Sequence, residues 1–190
     1  MSHMNAKSIE LRYVSAGNLT HDQKLRIKEL QGECFSSLSR KEIAEYFIAR
    51  GFGWVIADAA NSIVGEVELF QRKVEFDGRR IELGGLGGTC VTRSARNKGL
   101  GSEPVKKGIE VLMRRKCDIV CLNANIKEHP SGGLYRALGF RLMTRPISFT
   151  DVYGNKRNDT GEMFVPLCSN EVYEFVMNGE TVFHIGRGYW

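Results

Sequence analysis

Between Gly84 and Gly101 the chain reads Gly-Gly-Leu-Gly-Gly-Thr-Cys-Val-Thr and, a few residues on, Arg96-Asn97-Lys98-Gly99-Leu100-Gly101. Glycine inside a β-prone run marks a bulge or a close approach to the backbone. The second segment opens a predicted helix from Gly101 to about Lys116. Pro104 falls in its first turn, where no intrahelical N–H bond is lost. Arg114, Arg115 and Lys116 suit its carbonyl end through the helix dipole. A strand, a glycine loop and a helix start in that order present several unpartnered N–H groups to one point in space. An anion such as a pyrophosphate is stabilised there, because glycine keeps side chains out of the way. Arg96 and Lys98 add positive charge. No Gly-Lys-Ser/Thr follows, so the loop is not a nucleotide P-loop, and the three-glycine dinucleotide spacing is absent.

Upstream, Thr20 with Gln23 and Ser39 with Glu42 have capping-box spacing. They predict one helix to about Phe35 and a second that Gly51 closes. Trp54–Ala57 reads as a strand, Asp58–Ser62 as a turn and Ile63–Phe70 as the strand pairing back. Asp77-Gly78, between Val74–Phe76 and Arg79–Leu83, is a hairpin signal. Downstream, Ile119–Leu122 reads as a buried strand and Ser131–Leu138 as a helix closed by Gly139. Phe140–Met143 and Met163–Leu167 read as late strands, and Val172–Ile185 as β-prone. This order predicts an α/β fold with one mixed, mostly antiparallel sheet flanked by helices.

A length of 190 residues suits one domain, expected over residues 5–190, with Met1–Met4 reading as a cloning remnant. The longest apolar runs fall far short of the ~20 residues of a membrane span, and no signal peptide is visible. A cytoplasmic protein without a membrane partner is expected. Five scattered cysteines do not read as a disulfide framework. Cys117 and Cys121 lack a second pair to complete a zinc set, so no metal is expected. The net charge is +5, with Lys and Arg dispersed and no aromatic interleaving. That argues against nucleic acid, suits an anionic cofactor and disfavours a strongly cationic substrate.

The glycine-rich strand, Arg96-x-x-Gly99-x-Gly101 and Leu134-Tyr135-Arg136-Ala137-Leu138-Gly139-Phe140 together resemble the acyl-CoA signature of the GNAT acetyltransferases. The resemblance implies an acetyl-CoA-dependent N-acetyltransferase acting on a small-molecule amine. Arg96, Asn97, Lys98, Gly99, Leu100, Gly101 and Ser102 would hold the pyrophosphate. Cys90, Val91 and Thr92 would offer backbone groups to the pantetheine and the acetyl carbonyl. Tyr135 would protonate the leaving thiolate. From Leu11 onward the chain also resembles the aminoglycoside 2′-N-acetyltransferase branch. There the C-terminal segment, here 168–190, completes the substrate site, and the terminal tryptophan, here Trp190, lies in it. The polar loop from Thr150 to Leu167 carries Asp159 as a substrate contact. The resemblance leaves a homodimer open.

Several positions depart from that branch. Its bulged strand carries a glutamate where this chain has Gly87, and an aspartate stands where this chain has Gly188. Ser36, Ser37, Leu38 and Ser39 replace acidic residues between the first helices, although Glu42 keeps one nearby. The Asn123–Pro130 connection is long. These departures predict weak or no acetylation of aminoglycosides. The candidates left for the general base are the terminal carboxylate of Trp190 and Glu82, near the start of the glycine strand. His129 and His184 read as structural. Two other readings stay open: an acyl-CoA-binding module without catalysis, and transfer of longer acyl chains into the room left by Gly84, Gly85, Gly87 and Gly88.

Overall fold

The computed structural model describes residues 9–59, 62–96, 100–124 and 131–190. The chain starts with strand β1 (Ile9–Ser15) and helices α1 (His21–Cys34) and α2 (Arg40–Glu45). Strands β2 (Gly53–Ala59), β3 (Ser62–Phe76) and β4 (Arg79–Val91) follow as an antiparallel meander. Then come α3 (Ser102–Arg114), β5 (Ile119–Asn123), α4 (Ser131–Ala137), β6 (Arg141–Leu142), β7 (Ile147–Thr150) and β8 (Lys156–Asp159). The chain finishes with β9 (Glu162–Pro166), α5 (Asn170–Asn178) and β10 (Phe183–Arg187). Among the described residues the main sheet has the order β1-β2-β3-β4-β5-β9-β6, and β4–β5 is its parallel pair. A second sheet, β10-β7-β8, packs beside it. The main sheet is the mixed, mostly antiparallel one the sequence predicts, and the second sheet adds to the single sheet expected.

Both capping boxes are formed, with the Thr20 and Ser39 hydroxyls accepting the Gln23 and Glu42 N–H groups. Asp77 and Gly78 turn the β3–β4 hairpin with φ values of 45° and 78°, the left-handed pair of a type I′ turn. One face of the sheet buries Val67, Leu69 and Leu86 against Val105 and Leu112 of α3. The other buries Phe70, Ile81 and Leu83 against the second sheet and α5. Each such side chain contributes about 1.5–3 kcal/mol when fully buried.

Four sequence expectations need correction. Gly51 does not close α2, which ends at Glu45. Tyr46 and Phe47 leave the helix to meet Phe149 and Tyr189, with ring centroids 5.7 and 5.5 Å apart. The Val172–Ile185 stretch is not one strand. The Ser169 hydroxyl accepts the Val172 N–H at 3.1 Å and starts α5, whose buried Val172, Tyr173 and Val176 follow helical spacing. Tertiary burial overrides the β propensity of these valines. The strand expected over Phe140–Met143 shrinks to two residues, Arg141–Leu142. The polar loop from Thr150 to Leu167 contains the β8 strand, paired with β7.

Candidate active site

The parallel β4–β5 ladder covers three pairs and stops at Gly85 opposite Cys121. Both strands run on, β4 to Val91 and β5 to Asn123. Beyond that point the described residues give the β5-facing edge of β4 no ladder partner. Backbone groups left this way need a substitute partner. Within the same segment, Glu66 faces Cys90 and Glu68 faces Gly87, so Gly88 and Thr89 together oppose Val67. This is a β-bulge, and Gly88 has φ 59°, a conformation glycine adopts at no steric cost. Gly101 caps α3 without a side-chain bond, and among the described residues a methyl group there would meet nothing nearer than Leu134 at 4.0 Å. The start of a 13-residue helix, an unpaired strand edge and open space converge here. On the same side Tyr135 of α4 is buried against Phe140, and its hydroxyl bonds Thr89. Burial raises its pKa, so the phenol keeps its proton at neutral pH.

The opposite face of β4 is closed by the C-terminal residues. A Cβ on Gly85 would lie 2.4 Å from Cε2 of Trp190, and one on Gly87 would lie 2.9 Å from its carbonyl carbon. The indole stacks on Phe70 with centroids 5.4 Å apart, and the Arg72 guanidinium lies 4.2 Å over it. Nη1 of Arg72 donates to the Ile185 and Gly188 carbonyls at 2.8 and 2.9 Å. Gly188 has φ 72° and packs on Ile48 and Ala49. Both positions where the resembled branch carries acids therefore favour glycine here, Gly87 because of the tryptophan and Gly188 because of its backbone.

Three carboxyl groups do occupy this face. Glu66 is fully buried, accepts from Gln31 at 2.9 Å, and is pushed well above the usual carboxylate range by burial. Glu162 is buried beside Tyr189, whose hydroxyl donates to it, and accepts from Asn123 at 2.9 Å. Burial raises it to about 7. Glu68 is half-buried, accepts the Gly51 N–H at 3.0 Å, and burial raises it to about 7.

Residues 24–140, more than half of the chain, match the family described as Acetyltransferase (GNAT). The chain belongs to the GNAT acetyltransferases. No curated protein matches its sequence. Its fold is similar to that of Eis1 from Mycobacterium abscessus, with a TM-score of 0.57 at 13% identity, covering 74% of this chain and 33% of that one. It is also similar to Escherichia coli ElaA, with a TM-score of 0.58 at 16% identity, covering 83% and 97%. A chain of the NatC complex bound to Gag peptide and CoA gives 0.55 at 18% identity, covering 83% and 99%. The GNAT chain thus spans about a third of Eis1 and nearly all of ElaA. At these identities the likeness is one of fold.

GNAT enzymes use acetyl-CoA, and the uncapped α3 start and the free edge of β4 fit it. Of the expected cofactor residues, Asn97, Lys98 and Gly99 lie outside the described residues, as do His129 and most of the Asn123–Pro130 connection. Leu100 and Ser102 flank the Gly101 cap. Arg96 donates from Nε to the Val91 carbonyl at 3.1 Å. Cys90 is buried, and the Thr92 N–H bonds Val64. Asp159 lies close enough to Tyr189 and Glu162 to act on both electrostatically. Glu82 stands apart. It pairs with Lys73 at 3.5 Å and Gln71 at 3.3 Å, on the face of β4 opposite Gly85 and Gly87. His184 bonds Ser148 and Thr150.

The room expected at the glycines is filled by the protein itself. Gly84 lies against Val120, Gly85 and Gly87 against Trp190, and Gly88 against Gln31. Sequence reasoning missed Glu66, Glu68, Glu162, Asn123, Tyr189 and Arg72 as parts of this site. Glu66 and Glu68 alternate with Val67 and Leu69, which reads as a solvated strand face. Only the covering by α1 and the Gly51 loop makes that face an interior.

Among the described residues no cluster of His, Cys, Asp or Glu could hold a metal ion, and no helix is long and apolar enough to cross a membrane.

Proposed function

We propose that this GNAT protein is an N-acetyltransferase for the primary amine of a small molecule, an amino sugar or a similar compound. Bound acetyl-CoA supplies the acetyl thioester. The main-chain groups of the bulge, from Gly87 to Val91, orient and polarise its carbonyl. Tyr135, on the α4 side of β4, holds a proton for the departing thiolate. Glu68, on the other side, receives the proton of the attacking amine through water.

The observation that carries this reading is the placement of Glu68. It is the cross-strand partner of Gly87, the position where the 2′-N-acetyltransferase branch has its glutamate. Unlike Glu66 and Glu162 it is only half-buried. A carboxyl group titrating at about 7 is tuned for general-base work at neutral pH. The acceptor is small and weakly charged, because Trp190 and the Gly188 turn fill the space that extra substrate carboxylates would need. Asp159 is the proposed anionic contact beside that space. A single domain over residues 5–190, with 168–190 closing the acceptor side, is part of the same reading.

Glu68→Gln tests it. With the best amine, kcat is expected to fall ~10²–10⁴-fold, and the acidic limb of the pH–rate profile near 7 is expected to disappear. Stability should change too. The folded carboxyl binds its proton more tightly than the unfolded one, whose ordinary value is 4.5. This group therefore costs stability as pH rises from about 4.5 to about 7, and Glu68→Gln should lose that slope. A variant with a normal kcat and an intact acidic limb would remove Glu68 from the mechanism.

A further inference from the structure

Two thiols meet at the end of the cofactor strand. Cys34 ends α1 and is partly exposed, while Cys90 is buried on β4. Gln31, one turn before Cys34, bonds Glu66, and Glu66 is the cross-strand partner of Cys90, so α1 lies over that thiol and the two thiols interact. The Cys34 sulfur also lies 3.9 Å from the Val91 carbonyl oxygen and 3.6 Å from Nη2 of Arg96. Arg96 therefore bridges α1 to β4, with Nε on the Val91 carbonyl and Nη2 on the thiol. The carbonyl end of α1 works against a thiolate at Cys34. The Cys90 thiol first, and then the Arg96 guanidinium, outweigh burial and hold Cys34 below the usual thiol range. A partly exposed sulfur beside a guanidinium and a second thiol is the environment of a reactive cysteine with a resolving partner.

We propose that Cys34 and Cys90 form a dithiol site that reacts with peroxides and closes to a disulfide between α1 and the cofactor strand. The Cys34 thiolate attacks one oxygen of hydrogen peroxide. The O–O bond breaks, hydroxide leaves and takes a proton as water, and Cys34 becomes a sulfenic acid. The Cys90 sulfur then attacks the Cys34 sulfur. The S–S bond forms, the S–O bond breaks, and hydroxide leaves with the Cys90 proton as a second water. The two thiols are oxidised by two electrons and the peroxide is reduced to two waters. Arg96 then loses an anionic partner, and the bulged strand is tied to α1. The consequence for acetyl-CoA rests on the function proposed above; the thiol chemistry does not.

The test uses the full chain. Iodoacetamide at neutral pH should modify Cys34 before Cys168, although Cys168 is the more exposed. After hydrogen peroxide, peptide mapping without reductant should find a Cys34–Cys90 disulfide that dithiothreitol reverses. The oxidised protein should show a smaller acetyl-CoA-induced rise in Tm than the reduced one. Cys34→Ser and Cys34→Ala should keep the full rise after peroxide. Faster alkylation of Cys168, or oxidation of Cys34 to a sulfinic acid with no link to Cys90, overturns the proposal. A disulfide with an unchanged acetyl-CoA response overturns its coupling to the cofactor strand. A reduced protein that does not respond to acetyl-CoA defeats the functional reading, while the peptide map still decides the thiol chemistry.

Discussion

Tyr135→Phe is expected to lower kcat by ~10²–10⁴-fold, the usual contribution of a general acid, while the affinity for acetyl-CoA stays nearly unchanged. The substitution removes one oxygen and keeps the ring. The edge-to-face contact with Phe140, with centroids 6.0 Å apart, survives. What is lost is a buried phenol, bonded to Thr89 and kept protonated by its surroundings. The Thr89 hydroxyl can rotate to another partner, so the stability effect should be the modest one of a single neutral hydrogen bond, about 1 kcal/mol. Thiol release measured with the best amine gives kcat, and calorimetric titration gives the acetyl-CoA affinity. An unchanged kcat would make Tyr135 a packing residue, or place thiolate departure outside the limiting step.

The second large effect concerns Gly101→Asp. Among the described residues only Leu134 comes within 4.0 Å of a Cβ at the position, and the backbone φ is −68°. An aspartate fits without strain. Its negative charge suits the positive end of the helix dipole, although the helical φ/ψ at this position is not the extended geometry of a side-chain cap. The variant should therefore melt at or slightly above the parent temperature when no ligand is present. With acetyl-CoA near 100 times Kd the parent gains about 2.7 kcal/mol of stability. The variant should gain almost none, because a carboxylate then occupies the N–H groups meant for the pyrophosphate and repels it. An equal thermal response in both proteins would mean that the phosphates bind elsewhere.

The glycine-rich strand and the turns and caps around it were legible in the sequence because their signals are local. Glycine in a strand signals a bulge or a close backbone approach, and Gly88 sits in the bulge. The Asp77-Gly78 turn and both capping boxes depend on residues within four positions of each other, and all are formed. The opposite face of β4, the proposed acceptor side, depends on contacts between distant segments. Gly87 read as a missing acid, since nothing nearby shows that Trp190 comes to lie on it, more than a hundred residues later. Glu68 gave no signal, because a glutamate between valine and leucine in a strand usually faces water. Glu162 gave no signal either, since its burial depends on Asn123 and Tyr189. Val172–Ile185 misled because its β-branched residues read as a strand, while the Ser169 hydroxyl caps a helix there.

The most direct test is amine-dependent release of CoA thiol from acetyl-CoA, with the acetylated product identified by mass. The panel contains simple primary amines, single amino sugars and several aminoglycosides. Turnover of a simple amine or an amino sugar, with kcat/KM well above that for every aminoglycoside, is the predicted result. Micromolar KM values for several aminoglycosides with matching turnover would contradict the acceptor assignment. Stabilisation by acetyl-CoA with no amine-dependent thiol release from any member of the panel would contradict the claim that this protein is an N-acetyltransferase of small amines.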